Sequence, residues 1–293
     1  MWETGEQQAA AMLPRLEQEH GLRLHLIRRF ERGDEGAYLV EDSAGRRLVL
    51  KRRPWHEDAA EASGPTARRL ARMRQRGCPI PEEVAAGRVG ESLFELQEFA
   101  EGSPVDELTE DTLRQLIDVV RTQRGAGLGA GWDWWEFLTD GLLRDRSPLC
   151  RPSVLDGCTG PAERLLTRLR EQALDAAVPQ QIPNDVVHFD FGPANLLTVD
   201  GRITAVLDWQ ACRDGDASYD LVTTDWDLMA WPKAESEIGE QLRHEIGRTT
   251  APGATLVYAA HTVLRNLTWS HGTEWEGHIV SSGHAFLDRW ATD

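Results

Sequence analysis

The sequence has very few lysines, no long apolar stretch and no closely spaced cysteines. Of its 32 lysines and arginines, only Lys51 and Lys233 are lysines. No apolar run approaches the about 20 residues of a membrane span, and the N-terminus lacks the basic region and apolar core of a signal peptide. The four cysteines include no pair at metal-ligand spacing, which argues against a zinc site and predicts reduced thiols. We therefore expect a cytoplasmic protein without a membrane anchor, as a monomer or weak dimer.

Two common nucleotide-binding motifs are also missing. No Walker A sequence occurs, which excludes a P-loop enzyme. The segment GAGLGA at 125–130 fits G-x-G-x-x-A, but a helical pattern precedes it and the Trp-rich WDWWEF follows it. A dinucleotide-binding turn needs a strand before the glycines and a helix after them. We interpret this segment as a flexible connector.

The chain is acidic, and the acidity is unevenly distributed. Its net charge is −16, of which residues 1–101 contribute −2 and residues 102–293 contribute −14. A nucleic-acid-binding protein would have the opposite sign of charge. Solubility alone accounts for many acidic surfaces. The alternative interpretation is that the negative field attracts a polycationic ligand.

Apolar periodicity divides the chain into two parts. Up to about residue 101, short alternating segments predict antiparallel strands, together with helices at 6–20 and 57–76. A break in the second helix is expected at Ser63-Gly64-Pro65, and composition changes at Glu101-Gly102-Ser103-Pro104. The remainder favours helices, so the pattern is typical of an α+β protein. The predicted helices of this second part lie at about 109–124, 161–177 (with Leu174 facing inward), 217–231, 234–248, 253–270 and 277–291.

The stretch 186–208, VVHFDFGPANLLTVDGRITAVLD, contains the strongest candidate site. Asp190 and Asn195 have the spacing D-x-x-x-x-N, and Asp208 follows one hairpin later. Protein kinases use that spacing for a proton-accepting Asp and a magnesium-binding Asn. Upstream, a glycine-containing turn precedes a strand that ends at Lys51. A single Asp in a turn is usually structural, but this ordered set predicts phosphoryl transfer.

These motifs resemble those of the aminoglycoside phosphotransferases, relatives of choline kinase and of the protein kinases. The family motif H-G-D-x-x-x-x-N is matched by HFDFGPANLL at 188–197, I-D-W by VLDWQ at 206–210, and G-D-P-x-Y-D by GDASYDLV at 215–222. The resemblance covers nearly the whole chain. It implies a bilobal protein-kinase-like fold, with an N-lobe at 1–101, a hinge at about 97–102 and a mainly helical C-lobe at 102–293.

The resemblance also implies roles for individual residues. Asp190 would be the catalytic base or orient the acceptor hydroxyl, and Asn195 and Asp208 would bind Mg²⁺. Lys51 would contact the α- and β-phosphates of ATP or GTP. The backbone of the hinge would line the adenine pocket, and three further motif residues would brace the site. The hinge residues are Gln97, Glu98, Phe99 and Ala100, and the bracing residues are His188, Asp216 and Asp220.

The chain departs from the family pattern in four places. Phe189 replaces the usual Gly, and Gly192-Pro193-Ala194 replaces the usual His-Pro-Gly. The glycine-rich loop is reduced to Gly33 and Gly36. The helix glutamate that normally pairs with the strand lysine has no clear equivalent. Thr66 lies near its expected position, and Glu57 and Glu61 are the nearest acidic alternatives.

The motifs do not identify the acceptor, so any indication of its chemistry has to come from the acidic, tryptophan-rich second part of the chain. An aromatic ring flanked by carboxylates can bind a cation, and paired carboxylates are costly to bury. Two triplets have this pattern, Asp225-Trp226-Asp227 and Glu274-Trp275-Glu276. We hypothesise a polycationic acceptor, either an aminoglycoside or a basic cyclic peptide such as viomycin or capreomycin. The alternatives are a choline, homoserine or sugar kinase of the same fold, and a nucleotide-binding module without turnover.

Overall fold

A computed structural model describes most of the chain. Gly33 of the predicted glycine loop, Trp132 and Lys233 lie outside the described residues, and so do the side chains of Glu57 and Glu61. The described ranges are 2–30, 36–55, 57–129, 133–147, 149–175, 177–231, 236–251 and 253–291.

The N-terminal part is built on a five-stranded antiparallel sheet with the strand order β1-β2-β3-β5-β4. This agrees with the antiparallel strands that the short alternating segments of this part predict. Their bounds are β1 Leu24–Arg29, β2 Ala37–Asp42, β3 Arg47–Pro54, β4 Glu83–Val89 and β5 Ser92–Glu98.

Helix α1 (Trp2–His20) covers one face of this sheet. Its buried Met12 and Leu16 belong to the same apolar cluster as Leu48 and Leu50 of β3. Side chains alternate between the two faces of a strand. Lys51 therefore points away from α1, toward the other part of the molecule.

Helix α2 (Glu57–Gln75) runs without interruption through Pro65, so the predicted break at 63–65 is wrong. Tertiary contacts account for the difference, because Leu70 and Met73 are buried in the core of the C-terminal part. Arg69 also donates to Asp214 at 2.7 Å, and both side chains are largely buried. These contacts outweigh a local helix-breaking signal.

The GAGLGA segment follows a helix, as expected, but its described residues are docked rather than loose. Gly127 donates its N–H to the carbonyl of Asn184 at 3.0 Å and accepts a bond from Arg72 of α2 at 2.6 Å. Gly125 donates to the buried carboxylate of Asp185 at 2.7 Å. The prediction of a flexible connector is therefore wrong for this stretch.

The C-terminal part is mainly helical, which confirms the predicted α+β class. Helix α4 was not predicted, because WDWWEF has no clear apolar period; Asp133 caps its start and Trp134 and Trp135 are buried. Leu174 is 71% exposed, so its predicted inward orientation is wrong. The helices are α3 Glu110–Gln123, α4 Trp134–Leu143, α5 Pro161–Asp175, α6 Ser218–Ala230, α7 Ser236–Thr249, α8 Ala254–Ser270 and α9 Glu276–Ala291.

Five short strands complete this part and support its loops. Strands β6, β8 and β9 form one antiparallel sheet, and β7 pairs with β10. Their bounds are β6 Ser103–Pro104, β7 Asp185–Val187, β8 Leu196–Val199, β9 Arg202–Val206 and β10 Arg213–Gly215. None of the helices in the described part of the chain is long and apolar enough to cross a membrane.

The burial of the thiols leads to a labelling prediction. Burial raises the pKa of Cys78 and of Cys150 to about 12 and that of Cys212 to about 11, whereas Cys158 is only half-buried. The thiolate is the reactive form, and at pH 8 these buried groups are almost entirely protonated. We expect iodoacetamide to label Cys158 first in the native protein and all four thiols in urea. Peptide mass spectrometry over time checks this, and fast native labelling of Cys150 would contradict it.

Candidate active site

The β8–β9 hairpin brings the two ends of the central motif together. The N–H of Leu207, just after β9, donates to the carbonyl of Asn195, just before β8, at 2.8 Å. Asp208 then takes a left-handed conformation, with φ 64° and ψ 47°. Asn195 and Asp208 therefore lie at the same end of the hairpin, although thirteen positions separate them in the sequence.

Asp190 lies in the loop before this hairpin, and its side chain is 62% exposed. The Asn195 amide donates to the Asp190 carbonyl at 2.8 Å and to its carboxylate at 3.3 Å. The five-residue spacing thus closes a compact loop around one carboxylate. A carboxylate that is anchored by a hydrogen bond but still faces solvent is suited to accept a proton from an incoming hydroxyl.

His188 connects this loop to the hairpin. Its Nε2 lies 2.6 Å from the carbonyl oxygen of Leu207, and its Nδ1 lies 3.2 Å from the backbone nitrogen of Asp190. A carbonyl only accepts and a backbone N–H only donates, so Nε2 is the donor and Nδ1 the acceptor in these two contacts. The ring also packs against Trp209, with centroids 4.4 Å apart.

Lys51 reaches the hairpin from the N-terminal sheet and forms an ion pair with Asp208. Burial by itself would raise the pKa of Asp208, but the charge and hydrogen bond of Lys51 hold this pKa below its usual value. The carboxylate is therefore ionised at neutral pH and ready to share a cation. On β5, Glu95 lies directly opposite Lys51 and on the same face of the sheet, an acidic neighbour that the sequence analysis missed.

Two buried aspartates of the third motif accept hydrogen bonds from residues around the site. Asp220 of α6 accepts the N–H of His188 at 2.7 Å and that of Phe189 at 2.9 Å. Asp216 accepts the N–H of Ser218 at 2.8 Å and the hydroxyl of Tyr258 at 2.9 Å. Neither carboxylate is exposed, so both are placed to position backbone and not to contact a substrate.

The predicted hinge connects β5 to the C-terminal part. Gln97 is bonded to Glu95 on the sheet face that also carries Lys51. The ring of Phe99 stacks on Phe30, with centroids 6.3 Å apart. Glu98 and Ala100 line a cavity of about 300 Å³, whose further lining residues include Cys78, Pro79 and Thr204.

The first acid-Trp-acid triplet is not a surface feature. Trp226 is fully buried and packs edge-to-face on Phe286, with centroids 5.3 Å apart. Asp225 is buried as well, between Arg243 at 3.4 Å and Arg289 at 3.3 Å. Two cationic partners make this burial possible, which a local sequence pattern does not reveal. Asp225 and Trp226 are therefore core residues, and the prediction that they bind a substrate is wrong.

Asp227 differs from its two neighbours, because it lies half-buried beside the catalytic loop. A Cβ added at Gly192 would collide with its carboxylate. The Asp227 carboxylate therefore lies against the catalytic loop at Gly192, where the family pattern has histidine.

The second triplet remains available to a ligand. Glu274 is exposed and Trp275 is 42% exposed, whereas Glu276 is half-buried and bonded to the N–H of Gly272. Trp275 packs edge-to-face on Trp231, with centroids 5.0 Å apart. A substrate-binding role for this acidic and aromatic surface stays a prediction.

Sequence reasoning missed Arg265, which contacts the candidate base directly. Its Nη2 donates to the Asp190 carboxylate at 3.1 Å, and its side chain is only 11% exposed. Arg265 is the only Asp, Glu, Lys or Arg in α8. A single charge in a long, otherwise uncharged helix was the available signal.

The residues present fit a bound magnesium ion. Mg²⁺ in phosphoryl-transfer enzymes takes one or two protein oxygens together with phosphate oxygens and water. Asn195 and Asp208 supply such oxygens at one place. Within the described ranges, no group of three or more His, Cys, Asp or Glu residues forms a metal site independent of a nucleotide.

Comparison with known proteins agrees with this geometry. The model of the phosphotransferase enzyme family (APH) matches residues 27–255. Hygromycin-B 4-O-kinase of Escherichia coli is 28% identical over 163 residues, 49% of this chain and 46% of that protein. The match thus spans about half the length of that curated relative.

Solved structures share the whole fold at low sequence identity. A thermostable mutant of aminoglycoside phosphotransferase APH(4)-Ia, in a ternary complex with ADP and hygromycin B, has a TM-score of 0.67 at 19% identity. That match covers 95% of this chain and 98% of the other. Choline kinase LicA from Streptococcus pneumoniae has a TM-score of 0.62 at 12% identity, with 98% and 100% covered. Because the family model matches well over half of the sequence, including every residue of the central motif, this chain belongs to the phosphotransferase enzyme family.

Proposed function

We propose that this enzyme transfers the γ-phosphate of ATP to a hydroxyl of a polycationic antibiotic and thereby confers resistance. The observation that carries the reaction is the meeting of Asp190, Asn195, Asp208 and Lys51 at one end of the β8–β9 hairpin. The acceptor class is supported by the −14 charge of residues 102–293 and by the aminoglycoside kinase among the relatives. The cytoplasmic location expected from the thiols and the division into lobes near residue 101 are part of the same proposal.

In this mechanism the protein positions charges more than it forms covalent bonds. Asn195 and Asp208 would hold Mg²⁺, which would neutralise charge on the phosphates. Lys51, which pairs with Asp208, would direct its ammonium group to the α- and β-phosphates. The backbone of the 97–100 segment contacts the base of the nucleotide.

Asp190 acts on the acceptor. Its exposed carboxylate accepts a hydrogen bond from the attacking hydroxyl and takes the proton as the oxygen bonds to phosphorus. The proton moves from the acceptor oxygen to Asp190, and the bond between the γ-phosphorus and the bridging oxygen breaks as ADP leaves. The carboxylate of Asp227, next to Gly192, would attract an ammonium group of the acceptor toward this loop.

A panel of acceptors tests the proposal. The protein is incubated with ATP and Mg²⁺ and with hygromycin B, other aminoglycosides, viomycin, capreomycin, choline, homoserine and a neutral sugar. We expect a mass increase of one phosphate on at least one polycationic antibiotic. Its KM should rise with ionic strength more steeply than that of ATP, because salt screens the acidic field. Phosphorylation of a neutral metabolite alone would overturn the antibiotic assignment and leave the kinase reaction standing.

A small-metabolite kinase is the second candidate. The specific observation in its favour is an aromatic group in which the Trp231 ring contacts both Trp275 and His278. Such a group can hold a quaternary ammonium ion by cation–π attraction. A choline kinase, unlike an enzyme for polycations, would depend weakly on salt and strongly on Trp275.

A further inference from the structure

Arg265 lies directly under the proposed catalytic base. It projects from the C-terminal half of α8, and its Nη2 donates to Oδ1 of Asp190 at 3.1 Å. The arginine side chain is 11% exposed, whereas the aspartate side chain is 62% exposed. The pair therefore joins a buried cation to a carboxylate that faces solvent.

The hydrogen bond that is recorded for the guanidinium group is the one to Asp190. Its Nη1 is buried and, within the described part of the chain, has no hydrogen-bond partner. Burial by itself would lower the pKa of Arg265, but Tyr219, Asp190 and other neighbours leave this pKa raised, so the group remains charged. Two carboxylates, Asp190 and Asp227, act on this buried charge, but such a cation contributes little to stability, because desolvation offsets the attraction.

Phe189 fixes the guanidinium from the side. The centre of the Arg265 guanidinium lies 5.2 Å from the Phe189 ring centroid, within cation–π range. Phe189 itself is fully buried and stacks on Tyr219, with centroids 5.3 Å apart and planes 9° apart. Arg265 thus rests on a ring that cannot move freely.

The backbone of Phe189 has a conformation that is unfavourable for a bulky residue. Its φ is 78°, in the left-handed region that bulky residues avoid and glycine adopts freely. The family pattern has glycine at this position, and here a large ring takes the same conformation. The ring packs on Phe137 and Tyr219, and Arg213 lies 4.7 Å from its centroid, so core packing offsets the backbone cost and holds the surface that Arg265 contacts.

Asp190 is consequently held from two sides. Asn195 donates to Oδ2 at 3.3 Å and Arg265 donates to Oδ1 at 3.1 Å. Each carboxylate oxygen retains a free lone pair for the acceptor hydroxyl. Catalytic groups lose most of their effect when they are misplaced by about 1 Å. The hydrogen bonds from Asn195 and from Arg265 are therefore both expected to affect the rate of phosphoryl transfer.

We propose that Arg265 is a positioning residue for phosphoryl transfer, which from α8 fixes the orientation of the Asp190 carboxylate while Phe189 fixes Arg265. This inference rests on the proposed role of Asp190 as the base. It predicts that loss of the guanidinium lowers the rate of the chemical step and leaves substrate binding nearly unchanged.

Kinetics of four variants test the inference: Arg265→Ala, Arg265→Lys, Asp190→Asn and the control Arg164→Ala. Arg164 is an exposed arginine of α5. We expect Arg265→Ala to lower kcat by about 100-fold, with the KM of ATP and of the acceptor within about threefold of the wild type. Arg265→Lys should recover part of the loss, and Arg164→Ala should behave as the wild type.

Chemical rescue separates positioning from structural support. Guanidinium chloride, at concentrations far below those that unfold proteins, should raise the kcat of Arg265→Ala and not that of the wild type. A kcat of Arg265→Ala close to the wild-type value would overturn the inference. So would a loss that neither lysine nor guanidinium restores and that accompanies a large drop in Tm.

The same variants distinguish a failure of this inference from a failure of the proposed function. If Asp190→Asn loses activity and Arg265→Ala does not, the base stands and the positioning role fails. If neither loses activity, the base assignment is wrong and the inference falls with it. Slow hydrolysis of ATP, with water as the acceptor, gives the same comparison when no antibiotic is phosphorylated.

Discussion

Replacing Asp190 by asparagine is expected to lower kcat by about 10²- to 10⁴-fold, the range that a positioned general base contributes. Asparagine has nearly the same shape, and its oxygen can still accept a bond from Arg265. It cannot accept the proton of the attacking hydroxyl. The KM of ATP should change little, because Lys51, Asn195 and Asp208 remain in place. Steady-state kinetics with the antibiotic identified from the acceptor panel measure both constants.

Asp200→Asn is the matched control for this change. Asp200 is an exposed aspartate in the β8–β9 turn, with φ 50°, a conformation that asparagine also tolerates. Its kcat should equal that of the wild type. If Asp190→Asn retained more than about a tenth of the wild-type kcat, a general base worth at least about 10²-fold would be excluded. Asp190 would then only orient the acceptor.

Replacing Asp220 by alanine is expected to give the largest loss of stability. Asp220 is fully buried, and its carboxylate accepts three bonds, from the N–H groups of His188 and Phe189 and from Gln123 at 2.6 Å. Each buried donor left unpaired costs about 1–3 kcal/mol. The free energy of unfolding should therefore fall by about 3 kcal/mol or more. Urea denaturation followed by circular dichroism measures it.

Asparagine at the same position should cost less than alanine. Burial raises the pKa of Asp220, so the charged form is disfavoured there, and a neutral amide avoids that penalty. One oxygen still accepts, but the NH₂ group faces a donor, which leaves about one N–H unpaired. Asp118→Ala is the control, because Asp118 lies on the surface of α3 in an exposed pair with Arg121 and should matter by less than about 1 kcal/mol. Equal stabilities for Asp220→Ala and Asp118→Ala would contradict the bracing role.

Local patterns in the sequence predicted the secondary structure well wherever a period was clear. The five strands of the N-terminal sheet and the helices at 110–123 and 254–270 follow apolar spacing, which burial imposes directly on the chain. The failures occurred where distant residues decide. Helix α2 continues through Pro65 because its far end is docked on the C-terminal part, and α4 forms from a tryptophan-rich segment without a readable period.

The acid-Trp-acid triplets show the same limit for the site. Both triplets have a tryptophan between two carboxylates, yet Trp226 is fully buried and Trp275 is 42% exposed. Arg243 and Arg289 neutralise Asp225 from other helices, and their sequence separations of 18 and 64 residues carry no local signal. Composition suggested a cation site at both places, but only one triplet is open to solvent.

The sequence alone determined the family, the class of reaction and the candidate residues from His188 to Asp208, because the chemistry requires those groups at short, ordered spacings. The tertiary structure alone decided how they are held. Lys51 meets Asp208 across 157 residues, and Arg265 meets Asp190 across 75. A long-range contact depends on how helices and strands pack, so no spacing encodes it. The β8–β9 hairpin that carries the motif was readable from the sequence, whereas the buried arginine beneath its base was not.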